Sequence, residues 1–131
     1  MSIRRVVLDT NILVSALLSR EGVPAKIYRM FVARALIVVY CEEILEEYQD
    51  VLYRPRLKIP TGDADIIMTA IQDYGEKVTV KPSDGFMIDE DDRFFYDAAK
   101  QANATLITGN TKHYPSESFI LTPTAFLESN S

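Results

Sequence analysis

The stretch Ile3-Arg4-Arg5-Val6-Val7-Leu8-Asp9-Thr10-Asn11-Ile12-Leu13-Val14 passes from a β-branched run, Val6-Val7-Leu8, into a helix-compatible pattern at Ile12, Leu13 and Leu17. That reads as strand, tight turn, helix, with Asp9 where the strand stops. In an open α/β sheet the carboxyl ends of the strands form the ligand-binding edge. A carboxylate held there by rigid backbone can hold a metal ion or attack a phosphate. An Asp-Thr-Asn sequence between strand and helix is equally an ordinary N-cap cluster, because these side chains accept hydrogen bonds from free backbone N–H groups. On this stretch alone the two readings stand level, and the later acids decide between them.

Working outward, Leu13 to Leu18 complete a short helix that Arg20-Glu21-Gly22 ends, and Pro24 suits the first residue of the next. Ile27, Met30, Phe31 and Ala35 recur at helical spacing, and the uniformly apolar Leu36-Ile37-Val38-Val39-Tyr40 predicts a strand covered on both faces. Glu42 to Tyr53 is an amphipathic helix through Ile44, Leu45, Tyr48, Val51 and Leu52, stopped by Pro55. Asp63 starts a helix that packs through Ile66, Ile67, Ala70, Ile71 and Tyr74 and ends at Gly75. Lys77 to Val80 alternates as a short strand, the acidic run Asp89-Glu90-Asp91-Asp92 precedes a helix at Phe94 to Ala102, and Ala104 to Thr108 is a buried strand ending in Gly109-Asn110. A strand at Phe119-Ile120-Leu121 and a helix opened by Thr122-Pro123 close the pattern. Strands alternating with helices over short loops predict one domain over residues 1–131, a three-layer α/β/α fold with a mainly parallel central sheet.

The bulk numbers narrow the function. With 131 residues, 47% of them hydrophobic, the chain can bury one core and is too short for two domains of ordinary size. A single cysteine, Cys41, rules out an internal disulfide and suits the reducing cytoplasm. No apolar segment approaches the ~20 residues that cross a bilayer, and no signal-peptide pattern is present, so a soluble protein is expected. The net charge of -5 argues against loose, charge-driven binding of nucleic acid. If nucleic acid is the substrate, divalent cations must offset the repulsion.

Three regions supply acids to join Asp9. On the helical wheel of Glu42 to Tyr53, Glu46 opposes the apolar stripe whereas Glu47 lies at its flank, where a side chain can lean over the sheet edge; Glu43, one turn earlier, is the reserve. Asp89 to Asp92 could complement a helix dipole, but four adjacent acids repel one another at a cost that nearby cations would lift. Asp92 flanks the face made by Phe95, Ala98, Ala99 and Ala102, while Asp97 points away from it and is expected in solvent. Asn110 ends a strand on the same edge as Asp9 and can either offer a carbonyl oxygen to a hard cation or serve as a plain turn residue. Asp9, Glu47 and Asp92, with Asp89 beside them, give an all-oxygen donor set without a Cys or His cluster, which suits Mg²⁺ or Mn²⁺ and disfavours zinc.

The DTN after the first strand, the EEILEEY helix followed by VLYRPR, the DEDDRFFYDAA block and the LITGN turn with KHYP together resemble the PIN domain, in particular the bacterial toxin components of toxin–antitoxin systems. The likeness runs in order through nearly the whole chain. It implies a parallel-sheet nuclease fold and a metal-dependent endoribonuclease that cleaves single-stranded RNA with Mg²⁺ or Mn²⁺. Carried over, Asp9 and Asp92 look like direct metal ligands and Glu47 like the third acid, with Thr10 or Asn11 orienting the site. Asn110 stands where many members carry an aspartate, and Asp89 or Asp91 would compensate. Asn11, Arg54, Arg56, Lys58, Lys112 and His113 are the RNA-facing candidates. A cognate antitoxin protein and a second copy of the chain are the partners implied. Two alternatives remain at this stage: a non-cleaving PIN-fold module that grips RNA or protein, and a haloacid-dehalogenase-like phosphatase. The phosphatase requires a second Asp two residues after the first, where this chain has Asn11.

Overall fold

The computed structural model describes residues 3–129. Its frame is a parallel five-stranded sheet in the order β3-β2-β1-β4-β5, formed by β1 (Arg4–Leu8), β2 (Leu36–Tyr40), β3 (Glu76–Lys77), β4 (Thr105–Ile107) and β5 (Ile120–Leu121). Six helices flank it: α1 (Thr10–Leu18), α2 (Val23–Val32), α3 (Glu42–Leu52), α4 (Thr61–Tyr74), α5 (Arg93–Gln101) and α6 (Pro123–Ser129). The α/β fold with a parallel central sheet is thus the one expected from the sequence.

β1 is the central strand because its residues can be buried on every side. Val6, Val7 and Leu8 have no more than 1% exposure, and the strand pairs with β2 through Val6 and Val38 and with β4 through Leu8 and Ile107. The chain leaves β1 toward β2 and β3, then crosses back to place β4 and β5 on the other flank. The reversal creates a switch point between β1 and β4, where the loops after the two strands part and leave a crevice at their carboxyl ends.

Three sequence expectations need correction here. The third strand is shorter than Lys77 to Val80: after Lys77 only the Val78 N–H continues the ladder, donating to Tyr40 at 2.8 Å, before the chain turns away toward Pro82. The buried stripe of α4 is Ala64, Ile67, Met68 and Ile71, a regular three- and four-residue spacing that leaves Ile66 (64%) and Tyr74 (49%) exposed. Gly75 ends α4 as expected, and a Cβ there would come within 2.4 Å of the Ile71 carbonyl and 2.8 Å of that of Val38.

The largest correction concerns Asp97, which is 1% exposed rather than in solvent. A helical wheel sees only the helix's own apolar face, and the opposite side of α5 is covered by the segment from Lys81 to Gly85. Asp97 accepts from the Ser83 N–H at 2.8 Å and from its hydroxyl at 2.7 Å. One turn to either side, Gln101 brackets both the N–H and the carbonyl of Lys81, and Arg93 donates to the carbonyls of Ser83 and Gly85. Arg93, Asp97 and Gln101 follow one another at four-residue intervals, so a single edge of α5 holds the segment that leads into the acidic run. Replacing Asp97 with alanine strips the Ser83 N–H of its partner. Asp97→Ala should lower stability by about 2 kcal/mol in urea unfolding and speed hydrogen exchange at the Ser83 amide.

Candidate active site

Asp9 is placed by backbone. Its N–H donates to the Ile107 carbonyl at 3.0 Å, extending the β1–β4 pairing one residue beyond the strand, and its own carbonyl accepts the first α1 hydrogen bond from Ile12 at 2.9 Å. Asp9 is thus the N-cap residue by position, yet its side chain makes no capping hydrogen bond. The carboxylate is used elsewhere: Oδ2 accepts from Thr108 Oγ1 at 2.9 Å and from the Tyr114 hydroxyl at 3.0 Å.

The acidic run sorts itself in the same way. Asp89 caps a single 3-10 turn over Glu90–Asp92, its side chain accepting from the Asp91 N–H at 3.0 Å. Glu90 turns outward to pair with Arg93 at 2.7 Å. Asp92 is the N-cap residue of α5 by position but, like Asp9, makes no capping bond. Asp89 is thus used as a cap and Glu90 in an ion pair, and neither role accounts for Asp92.

One cavity of about 410 Å³ at the β1–β4 crevice is lined by Asp9, Glu47, Asp89, Asp91 and Asp92 together. Asn11, Asn110, His113, Arg54 and Arg56 complete its wall. Glu47 reaches it from the flank of α3, as the wheel predicts, and accepts a long hydrogen bond from Thr10 Oγ1 at 3.4 Å, whereas Glu46 and Glu43 are exposed. Two basic candidates lie elsewhere. Lys112 follows Thr111 in a 3-10 turn, where neighbouring side chains diverge by a third of a circle, and it lines a separate pocket with Pro115 and Glu117. Lys58, in a left-handed conformation (φ 56°) after Pro55–Leu57, is not part of the acid cavity.

Sequence reasoning missed Thr108 and Tyr114 as contacts of Asp9. Thr108 was visible as the polar residue ending a buried strand. Tyr114 lies beyond a 3-10 turn, where no periodicity shows which way a side chain faces. Beneath them Tyr48, fully buried, donates to the Leu8 carbonyl at 2.6 Å and closes the floor under the end of β1.

The electrostatics follow from crowding. Burial foremost, then the charges of Asp9 and Asp89, push the Asp92 carboxyl up to about 6, with His113 pulling it back and Asp91 adding to the rise. Burial also raises Glu47, opposed by the Thr10 hydrogen bond and by Arg54. Burial and the neighbouring Asp9 carboxylate hold the Tyr48 and Tyr114 phenols well above their usual range. A cation inside the cavity would relieve the repulsion that Asp92 registers, and every acid offers it hard oxygen donors. The residues therefore fit a divalent ion in kind. Among the described residues no three acid, His or Cys side chains stand gathered as a formed metal cage, so the acids ring the cavity rather than meet at its centre.

This crowding has a measurable sign. The folded state holds the Asp92 proton more tightly than the unfolded chain, so the contribution of this group is fully present below its ordinary value of 3.8 and is lost as pH rises through about 6. In metal-free buffer, stability should fall across that window. Asp92→Asn should remove the fall and be more stable than wild type at pH 7 by roughly 1 kcal/mol, solvent screening at a half-buried side chain having reduced the full effect. Chemical denaturation at a series of pH values checks it.

A family model described as PIN domain matches residues 5–112. An uncharacterized protein of Methanocaldococcus jannaschii is 29% identical over 109 residues, spanning 81% of this chain and 70% of that protein. The matched span runs from β1 past Asn110 and so takes in Asp9, Glu47, the acidic run and the end of β4. The parallel sheet, the order of its strands and the span of the match agree: the chain belongs to the PIN domain family, whose fold is that of a nuclease.

Proposed function

We propose that the protein is a metal-dependent endoribonuclease that cleaves single-stranded RNA at the cavity between β1 and β4. One observation carries the reading: Asp9 and Asp92 both occupy helix N-cap positions, neither carboxylate caps its helix, and both line the same cavity with Glu47. Asp9, Glu47 and Asp92 would hold Mg²⁺ or Mn²⁺, with Asp89 or Asp91 beside them, and the ion when bound supplies an activated water and neutralises charge on the phosphate. Asn110 adds a neutral oxygen donor to the same wall.

The remaining wall suits a polyanion. Arg54, tied to Asp50 at 2.7 Å, and Arg56 are positioned to meet phosphates flanking the scissile one, and His113 and Asn11 lie on the same rim. Of the fourteen lysines and arginines only Arg54 and Arg56 line the acid cavity, and the net charge is -5. Binding would then depend on the cation as well as on the arginines. We place the protein in the cytoplasm as the toxin component of a toxin–antitoxin system, restrained by an antitoxin protein and able to pair with a second copy of itself. Among the described residues no helix is long and apolar enough to cross a membrane.

Wild-type protein should cut single-stranded RNA with Mg²⁺ or Mn²⁺ and be silenced by chelation. Asp9→Asn and Glu47→Gln should each lower kcat by about 10²–10³-fold, while Lys112→Ala should change it little. Equal cleavage by wild type and Asp9→Asn would defeat the nuclease reading, and Mn²⁺-independent RNA binding without cleavage would favour a non-cutting module. For the toxin role, induced expression should arrest growth only with Asp9 intact, and co-expression of the adjacent gene should relieve the arrest.

A further inference from the structure

We infer that Thr108 and Tyr114 clamp one oxygen of Asp9, making it a one-oxygen ligand and setting which cation the acid cavity prefers. The inference rests on the nuclease reading above. Both hydroxyls donate to the same atom, Asp9 Oδ2, at 2.9 and 3.0 Å. The Thr108 bond has a fixed direction, because its Oγ1 already accepts the Asn110 N–H at 3.1 Å and its proton is left for the carboxylate. Thr108 is 1% exposed and Tyr114 4%, so water does not compete for either donor. Among the described residues no hydrogen bond is made to Oδ1.

The two donors reach Asp9 from separate places, one ending β4 and the other following the 3-10 turn at Thr111–His113. Packing alone would be served by valine and phenylalanine at these positions. Besides accepting the Asn110 N–H at Thr108, the hydroxyls occupy Oδ2, which leaves Asp9 to approach a cation through Oδ1. Cations differ in how they take a carboxylate. Calcium accepts about six to eight oxygens in flexible geometry and readily takes both oxygens of one carboxylate, whereas magnesium demands a near-ideal octahedron and retains several waters. Manganese shares the octahedral oxygen preference. A clamp that withholds Oδ2 therefore disfavours calcium. Thr108 and Tyr114 are positioning residues: neither lines the acid cavity, and they act through Asp9.

Calorimetric titration of metal-free protein with MnCl₂ and with CaCl₂ tests this without reference to activity. Wild type should prefer Mn²⁺. Tyr114→Phe and Thr108→Val should each narrow the ratio of Mn²⁺ to Ca²⁺ affinity by about tenfold, and Thr108→Ser, which keeps the hydroxyl, should retain the wild-type ratio. Tyr114→Phe keeps the buried ring and decides the matter should Thr108→Val fail to fold. An unchanged ratio in Tyr114→Phe, in a protein whose Mn²⁺ heat disappears in Asp9→Asn, overturns the clamp and leaves the nuclease reading standing. No Mn²⁺ heat in wild type overturns both.

Discussion

Hydrogen bonding along both edges of β1 is the constraint from which the rest of the molecule follows. A strand paired on two sides and buried on two faces cannot shift register without moving its entire apolar set, so the residue that follows it is located by the whole sheet. Asp9 is that residue, and its N–H still belongs to the ladder through Ile107. The reversal of strand order opens a crevice at this same end. Glu47 leans in from α3 on one side, and Asp92 begins α5 on the other. No long loop is needed to bring these distant acids together.

Charge sets the second constraint. Carboxylates in one cavity oppose one another, and Asp92 bears the cost most visibly because it is partly buried and faces Asp9, Asp89 and Asp91 at once. The protein spends its other polar groups on holding acids rather than neutralising them. Thr108 and Tyr114 fix Asp9, Thr10 reaches Glu47, and the backbone of Asp91 satisfies Asp89. Arginines stay at the rim, and Arg54 is already engaged with Asp50. Without a cation the acids of this cavity repel one another, and the raised Asp92 carboxyl records that repulsion together with its burial.

The fold was largely legible because its signals are local: a β-branched run, a wheel of apolar residues, a proline or glycine at an end. The principal acids were legible for the same reason, since Glu47 and Asp92 could be aimed from the helices that carry them. What escaped is what depends on another segment. Asp97 is polar on the outer side of its own helix and becomes buried because the segment around Ser83 lies over it. Ile66 fits an apolar stripe in the sequence as well as Met68 does, and only the neighbours of α4 determine which of the two is covered. Lys112 and His113 are adjacent in sequence, yet a 3-10 turn sends them into different pockets. Tyr114 could not be aimed at all, because outside regular structure a side chain's direction carries no period.

The anchoring of residues 81–85 along α5 has a consequence for the mobility of the cavity wall. A lid needs a segment free to swing between two resting places, and this one is fastened to a helix at three consecutive turns. The acidic run that follows therefore starts from an anchored stretch of chain and not from a free flap. What is fixed ahead of α5 is thus the point from which the acidic run departs, so the run enters the cavity wall from a constant origin.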